Sequence, residues 1–218
     1  MGYDAISPSI TGLVLFDMLN YAVKEGSADD RKRLEPVVKN CVRLRTVARE
    51  TGIAVIYPKA DHRPDGRDIG ARYSDVGHDM QPWADPEIRL RPHKSNTAGS
   101  WGAEVIDELA PEPGDYLIPK HRWSALFQTK MELSMRSRGI SVLLLCGGAT
   151  EIGIASTAYA ARDLDFDLVV VSDACTSSKA DVHETFMHGV FPRFARVRTT
   201  DQVIEMIEAG TLDSAALV

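Results

Sequence analysis

The sequence predicts a single α/β domain with a doubly wound, three-layer architecture and a mainly parallel sheet. Short, continuously apolar runs recur along the chain, as expected for strands that are buried on both faces. Segments with apolar residues at helical spacing separate these runs, and strands that alternate with helices favour parallel pairing. No internal repeat or long linker divides the 218 residues, so we expect residues 1–218 to form one domain.

The first part of the chain supplies two predicted strands around one long helix. Thr11–Phe16 is an apolar run followed by a carboxylate, Asp17, and Ile53–Tyr57 is the second apolar run. Between them, Asp29–Glu50 has apolar residues at helical spacing and begins with carboxylates that suit the helix dipole. Cys41 lies on the apolar face of this helix, so we expect its thiol to be buried.

The rest of the chain continues the alternation after one long irregular region. Pro58–Ser100 is rich in Pro, Gly and Asp, a composition typical of loops that cover a site. The predicted strands that follow are Tyr116–Pro119, Val142–Leu145, Phe166–Val171 and Ala195–Thr199, and the predicted helices are Trp101–Leu109, Gln128–Arg138, Thr150–Arg162, Asp181–Val190 and Asp201–Gly210.

Composition excludes several classes of protein. The net charge is -6 and no basic tract is present, which argues against nucleic-acid binding. The apolar runs are far shorter than the roughly 20 residues that span a bilayer, and no signal-peptide pattern is present. We therefore expect no membrane partner and a cytoplasmic location. The three cysteines, Cys41, Cys146 and Cys175, lack CxxC or metal-ligand spacing, which fits a reducing compartment.

Three residues of the long loop raise the question of a metal site. Asp61, His62 and His78 are polar loop residues at irregular spacing. Zinc sites show tighter spacing signatures, so solvated or hydrogen-bonded side chains are the favoured interpretation and metal binding is the alternative. We predict no metal ligand and no cofactor.

Polar groups follow three of the predicted strands at their carboxyl ends. Asp17 and Lys120 follow two of them, and the pair Gly147–Gly148 joins a third to the helix that starts at Thr150. Parallel strands bring their carboxyl ends to one edge of the sheet, where α/β enzymes place their chemistry. The first N–H groups of a helix favour an anion or developing negative charge. The sequence therefore predicts a site at this edge.

These motifs resemble those of the isochorismatase-like hydrolases, a family that includes many cysteine amidohydrolases, over nearly the whole chain. Asp17 in LVLFDM resembles the catalytic Asp of the family, and Lys120 in PKHRWSALFQT resembles its lysine. GGATEIGIASTA resembles the string that carries the nucleophilic cysteine, and SDACTS with His183 matches a later loop and helix. The resemblance implies a Rossmann-like hydrolase fold and a cis peptide bond between Gly148 and Ala149.

The chain departs from the family at Gly153, which stands where the nucleophilic cysteine falls. Glycine has no side chain to attack with, and we expect the neighbouring thiols of Cys146 and Cys175 to pack elsewhere. Isochorismatases proper also show glycine at this place, and they hydrolyse a vinyl ether by protonation and addition of water. On that resemblance, Asp17 is the acid, and Lys120 orients it or holds a substrate carboxylate.

Three functional hypotheses follow. The first is a hydrolase of a small anionic or amide-bearing metabolite that uses Asp17 and Lys120 for proton transfer and water as the attacking group. The second is an inactive relative that binds a metabolite or a partner, for which Gly153→Cys restores amidase activity. The third is an amidohydrolase whose cysteine was replaced at position 153 to trap a substrate.

Relatives are commonly oligomers, so we expect a homo-oligomer, either a dimer or a tetramer. The predicted substrate-binding residues are Tyr21, Trp101, Arg122, Trp123, Gly148, Ala149 and Thr150.

Overall fold

Six parallel strands form one sheet in the computed structural model, which describes residues 4–68 and 96–215. The spatial order is β3-β2-β1-β4-β5-β6, and each pair of neighbours runs parallel. The strands are β1 (Thr11–Phe16), β2 (Ala54–Ala60), β3 (Tyr116–Lys120), β4 (Val142–Gly148), β5 (Asp167–Thr176) and β6 (Arg196–Arg198).

Helices surround this sheet. The longest, α2, begins with a capping box between Ser27 and Asp30 and ends at Gly52, whose φ of 76° is in the left-handed region. No helix in the described ranges is both long and apolar enough to cross a bilayer. The helices are α1 (Asn20–Val23), α2 (Ala28–Thr51), α3 (Met131–Arg136), α4 (Ala155–Asp163), α5 (Ala180–Thr185) and α6 (Thr200–Ala215), with π-helical turns at Thr150–Ile154 and Phe186–Val190.

The central strands are covered on both faces. Every residue of β1 is buried, and so is every residue of β4 except its last. Successive side chains of a strand point to opposite faces, so an unbroken run of buried residues requires a layer on each side. The structure therefore confirms the predicted doubly wound, three-layer α/β fold, and the sheet is parallel throughout the described residues.

The order of the strands reverses between β1 and β4. The chain moves outward from β1 to β2 and β3 on one side, then returns and moves from β4 to β5 and β6 on the other. At such a reversal a crevice opens outside the carboxyl ends of the two strands, because their connections leave in opposite directions. Phe16 is in register with Gly147, which brings Asp17 beside the glycine turn.

Two segments differ from the sequence-based prediction. Trp101–Leu109 is not one helix but two 3₁₀ turns, Trp101–Ala103 and Asp107–Leu109. Between them Val105 bridges to Leu19 in antiparallel fashion, and this pairing holds the segment extended. Strand β5 also runs further than predicted, to Thr176, because β4 continues through its two glycines and pairs with it there.

Candidate active site

A cavity of about 370 Å³ opens at the carboxyl ends of β1 and β4. It contains the three predicted catalytic positions, and it is walled mainly by β1, α1, α2 and the turn after β4. The sequence-predicted residues that line it are Asp17, Lys120, Gly153, Tyr21, Trp123, Gly148 and Ala149.

An ion pair between Asp17 and Lys120 lies at one wall of the cavity. Lys120 Nζ donates to Asp17 Oδ2 at 2.7 Å, and the backbone N–H of Ala60 donates to Asp17 Oδ1 at 2.8 Å. Lys120 is 5% exposed, so this charge pair is shielded from bulk water. Asp17 has a φ of 48°, a left-handed conformation that aspartate tolerates better than most residues. Both carboxylate oxygens thus accept a hydrogen bond, one from a side chain and one from the backbone.

The ring of Phe16 fills the space beside Gly153. A Cβ built on Gly153 would lie 2.6 Å from Phe16 Cζ and closer still to Cε1, well inside the roughly 3.5–4.0 Å of normal carbon contacts. Phe16 is only 1% exposed, so most of its ring is packed against other residues. A cysteine at position 153, as the inactive-relative hypothesis proposes, therefore requires the Phe16 ring to move.

The turn after β4 depends on glycine and on a cis peptide bond. Gly147 has a φ of 110°, and a Cβ there would lie 2.8 Å from the backbone N of Phe16 and closer still to its carbonyl oxygen. The Gly148–Ala149 peptide bond is cis, as the family resemblance implied. The N–H groups of Ile152 and Ile154 both donate to the Ala149 carbonyl. These two donors are used inside the turn and are not aimed at the cavity.

Thr150 anchors the turn from behind. Its hydroxyl donates to the Thr176 carbonyl at 3.1 Å and lies 2.9 Å from His183 Nδ1. Since the one hydroxyl proton goes to the carbonyl, the Nδ1–H of His183 donates to Thr150. Burial lowers the pKa of His183, which fits a neutral ring in this tautomer. Thr150 itself is fully buried and lies outside the cavity lining.

Two other predicted substrate-binding residues also lie outside the cavity lining. Trp101 is 55% exposed, and its carbonyl accepts a hydrogen bond from Asn20. Arg122 lines a separate depression and donates to the backbone oxygen of Asp68 at 2.8 Å. Trp123, the neighbour of Arg122, does line the cavity.

The cavity also contains polar residues that sequence reasoning missed. Arg33 on α2 lines it, and Arg33 Nη1 donates to Thr176 Oγ1 at 2.9 Å and to the Ser177 carbonyl at 2.8 Å. His62 and Asn96 are buried cavity residues, and the carbonyl of Asn96 accepts from the His62 N–H at 3.1 Å. Asn96 Oδ1 is buried without a hydrogen-bond partner in the structure. Arg33 reaches the cavity because α2 packs against β5. No local sequence pattern could therefore identify Arg33 as a cavity residue.

Two of the three candidate metal residues, Asp61 and His62, lie in the described part of the chain, and each has a different neighbour. Asp61 pairs with Lys59 at 3.4 Å, whereas His62 Nδ1 lies 3.5 Å from Asp68 Oδ1, too long for a well-formed hydrogen bond. Burial lowers the pKa of His62 despite this nearby carboxylate. His78 lies outside the described residues. Within residues 4–68 and 96–215, no group of three His, Cys, Asp or Glu side chains is arranged to hold a metal ion.

The neighbouring cysteines are not placed for attack. Cys146 and Cys175 are buried and free, and neither lines the cavity. Their thiols point to carbonyl oxygens of Val14 and Leu145, at 3.2 and 3.5 Å. Burial raises the pKa of both thiols well above the usual value, so both remain protonated. Cys41 is buried on α2, as predicted.

Comparisons with known proteins identify relatives of this chain. The sequence matches the Isochorismatase domain over residues 11–202. It is 37% identical over 106 residues to the uncharacterized isochorismatase family protein YwoC of Bacillus subtilis, a match that covers 49% of this chain and 56% of YwoC. It is 30% identical over 211 residues to the ureidoacrylate amidohydrolase RutB of Agrobacterium fabrum, covering 93% of this chain and 92% of RutB.

A solved structure supports the same grouping. The crystal structure of a cysteine hydrolase from Pseudomonas syringae pv. phaseolicola superposes with a TM-score of 0.77 at 25% identity, over 94% of this chain and 95% of that chain. The chain thus spans about half the length of YwoC and nearly all of RutB and of this structure.

Proposed function

Because this chain belongs to the isochorismatase family of hydrolases, we propose that it cleaves the C–N bond of a small organic anion by direct attack of water. The observation that carries the proposal is the shielded Asp17–Lys120 pair beside a position, Gly153, that has no side chain. A covalent intermediate needs a nucleophile, whereas a positioned water needs only a base and a proton donor.

Asp17 is the base in this proposal. The Asp17 carboxylate takes a proton from water, and the water oxygen forms a bond to the carbonyl carbon of the substrate. Lys120 donates a hydrogen bond to the oxygen that becomes negative, an electrostatic contribution that is largest where water is excluded. When the C–N bond breaks, the proton held by Asp17 passes to the leaving nitrogen. No atom of the enzyme is bonded to the substrate at any step.

The charged residues of the cavity support an anionic substrate. Lys120 is engaged by Asp17, whereas Arg33 makes two short hydrogen bonds with uncharged groups, the Thr176 hydroxyl and the Ser177 carbonyl. Arg33 Nη2 also lies 3.8 Å from Asp30 Oδ1, a solvent-exposed and therefore weak ion pair. A carboxylate suits a guanidinium because both are planar and pair in a fork geometry. The name of RutB states ureidoacrylate as its substrate, a molecule with a carboxylate and a ureido group. We assign Arg33 to the carboxylate, and Asn96 Oδ1, buried without a partner, to the N–H groups of the scissile end.

A vinyl ether is the second candidate for the scissile group, and Gly153 is the observation that favours it. Isochorismate hydrolysis proceeds by proton transfer to carbon followed by addition of water, so it needs no side chain at position 153. This route requires Asp17 in its acid form at the start. Both carboxylate oxygens of Asp17 already accept a hydrogen bond, from Lys120 and from the Ala60 N–H, and for this reason we place the amide first.

The test is a product assay with two substrates. Cleavage of the ureido group of ureidoacrylate releases ammonia, and cleavage of isochorismate releases pyruvate. We expect ammonia, and we expect Asp17→Asn to lower kcat/KM by at least about 100-fold, since a general base contributes about 10²–10⁴-fold. Hydroxylamine added during turnover should yield no N-hydroxyurea, because no carbamoyl-enzyme forms.

Other results would contradict this function. Pyruvate without ammonia would establish the vinyl ether chemistry. An N-hydroxyurea would require a covalent carbamoyl intermediate and hence a nucleophile. If neither substrate is turned over but calorimetry shows that ureidoacrylate binds, the inactive-relative hypothesis replaces the proposal.

A further inference from the structure

We propose that Phe16 and Gly153 form one coupled pair, in which the Phe16 ring occupies the family's nucleophile position and holds Lys120 in place. This inference deepens the proposed function and rests on it only for its chemical consequence. Gly153 alone explains why thiolate attack is missing. The Phe16 ring explains why a larger residue does not fit at position 153. The ring also has a role of its own, which is to hold Lys120.

The first argument is steric. A Cβ on Gly153 would meet three atoms of the Phe16 ring, at 2.9 Å from Cδ1, 2.6 Å from Cζ and a still shorter separation from Cε1. The ring comes from the last residue of β1, a central strand whose backbone is fixed by parallel pairing with β2 and β4. A flexible surface side chain would move aside at little cost, but a ring that is 1% exposed displaces its packed neighbours. Position 153 therefore accepts glycine because position 16 carries a large ring.

The second argument concerns charge. Lys120 Nζ lies 4.5 Å from the centre of the Phe16 ring while it donates to Asp17 Oδ2. An ammonium group above an aromatic face is attracted to the ring, and the attraction grows as the pair is shielded from water. Asp17 and Phe16 are adjacent in sequence, so consecutive residues hold Lys120 from two directions. Phe16 is thus a positioning residue that acts through Lys120.

A double-mutant cycle tests the steric coupling without any substrate. We expect Gly153→Ala to lower Tm by about 2–12 °C, because overpacking a core costs about 1–3 kcal/mol and each kcal/mol shifts Tm by about 2–4 °C in a chain of this size. Phe16→Val should also lower Tm, since it leaves a cavity. The double variant should lose less than the sum of the two losses, because the new methyl group occupies the vacated space.

Gly189→Ala is the matched control, because a Cβ there meets nothing within 4 Å. Its Tm should stay close to that of the native chain, alone or combined with Phe16→Val. Should Phe16→Val fail to fold, Phe16→Leu, which keeps more of the volume, closes the same cycle. If Gly153→Ala leaves Tm unchanged, or if the losses add in full, the coupling does not exist.

A thiol at position 153 tests the link to Lys120. In Phe16→Val/Gly153→Cys, the new thiolate displaces iodide from iodoacetamide, and peptide mapping separates this product from the three buried cysteines. We expect its alkylation to have a pH midpoint below the usual value of about 8.5, because an ammonium group nearby stabilises the thiolate. Adding Lys120→Met should raise the midpoint, whereas the exposed thiol of Gly189→Cys should show the usual one.

The single variant Gly153→Cys completes the design. Its thiol should react at least tenfold more slowly than that of the double variant, or the chain should unfold. Equal rates in the single and double variants would show that the ring is no obstacle. A midpoint that does not change in the Lys120→Met background would show that Lys120 does not lie beside position 153, and the proposed arrangement of Phe16, Gly153 and Lys120 would be wrong. None of these readouts depends on turnover, so a failed assay for ammonia leaves this test intact.

Discussion

At the scale of single residues, Arg33 sets the expected preference of the cavity for anions. Its Nη1 bonds hold the guanidinium across the gap between α2 and the end of β5. Sequence could not identify it, because Arg33 lies in a charged helical turn that looks like an ordinary solvated face. Asp17 and Lys120 were accessible to sequence reasoning, since each follows an apolar strand and each resembles a family motif.

The Arg33 assignment yields a prediction on binding. Arg33→Gln should raise KM for ureidoacrylate about tenfold or more with kcat changed less than threefold, because a hydrogen bond to a charged group is worth about 1.5–3 kcal/mol. Arg33→Lys keeps the positive charge but not the fork geometry of the guanidinium, so its KM should lie between those of the native chain and Arg33→Gln. Steady-state kinetics provide the measurement, and Tm shows whether the fold is intact. An unchanged KM in Arg33→Gln would place the carboxylate elsewhere.

At the scale of elements, the β4 turn is the most constrained part of the site. The apolar run and the glycine pair of this segment predicted a strand, a turn and a helix, and the structure has all three. The pattern did not reveal that β4 continues through Gly147 and Gly148 to pair with the far end of β5. It also gave no sign that the Phe16 ring points at Gly153, because side-chain direction depends on strand register, which only the folded sheet defines.

This constraint predicts a large effect of one methyl group. Gly147→Ala should destabilise the fold by more than about 2 kcal/mol, or about 4–8 °C in Tm, because alanine is strained at positive φ and its Cβ would meet the backbone of Phe16. Gly189→Ala, whose added methyl group has open space, is the control and should be nearly neutral. Thermal unfolding followed by circular dichroism measures both. Similar small losses in the two variants would contradict the close approach of β1 and β4.

At the scale of the whole molecule, the buried His62 and the half-buried His183 make stability depend on pH. Burial lowers the pKa of both His62 and His183 below the usual value near 6.5. Just below pH 6.5 the unfolded chain therefore binds more protons than the folded protein does. Stability rises with pH wherever the unfolded state binds more protons, so these two residues reduce stability as the pH falls below about 6.5 and have little effect above it.

A comparison of two variants isolates this contribution from the other ionisable groups. Lowering the pH from about 7.5 to 5.5 should decrease Tm less in His183→Asn than in the native chain, because asparagine keeps an N–H donor for Thr150 but does not titrate. The exposed His188 supplies the control, and His188→Asn should retain the native pH dependence. An equal decrease in His183→Asn and the native chain would mean that the pKa of His183 is not lowered by folding.

The arrangement of β1, β3 and β4 also determines when the site can first exist during synthesis. Asp17 and Lys120 are 103 residues apart in the chain, and the β4 turn comes later still. At about 5–20 residues per second, Asp17 is synthesised some 5–20 s before its partner. The ion pair of this site can therefore form only after Lys120 has been made, and the complete site only after the β4 turn has followed.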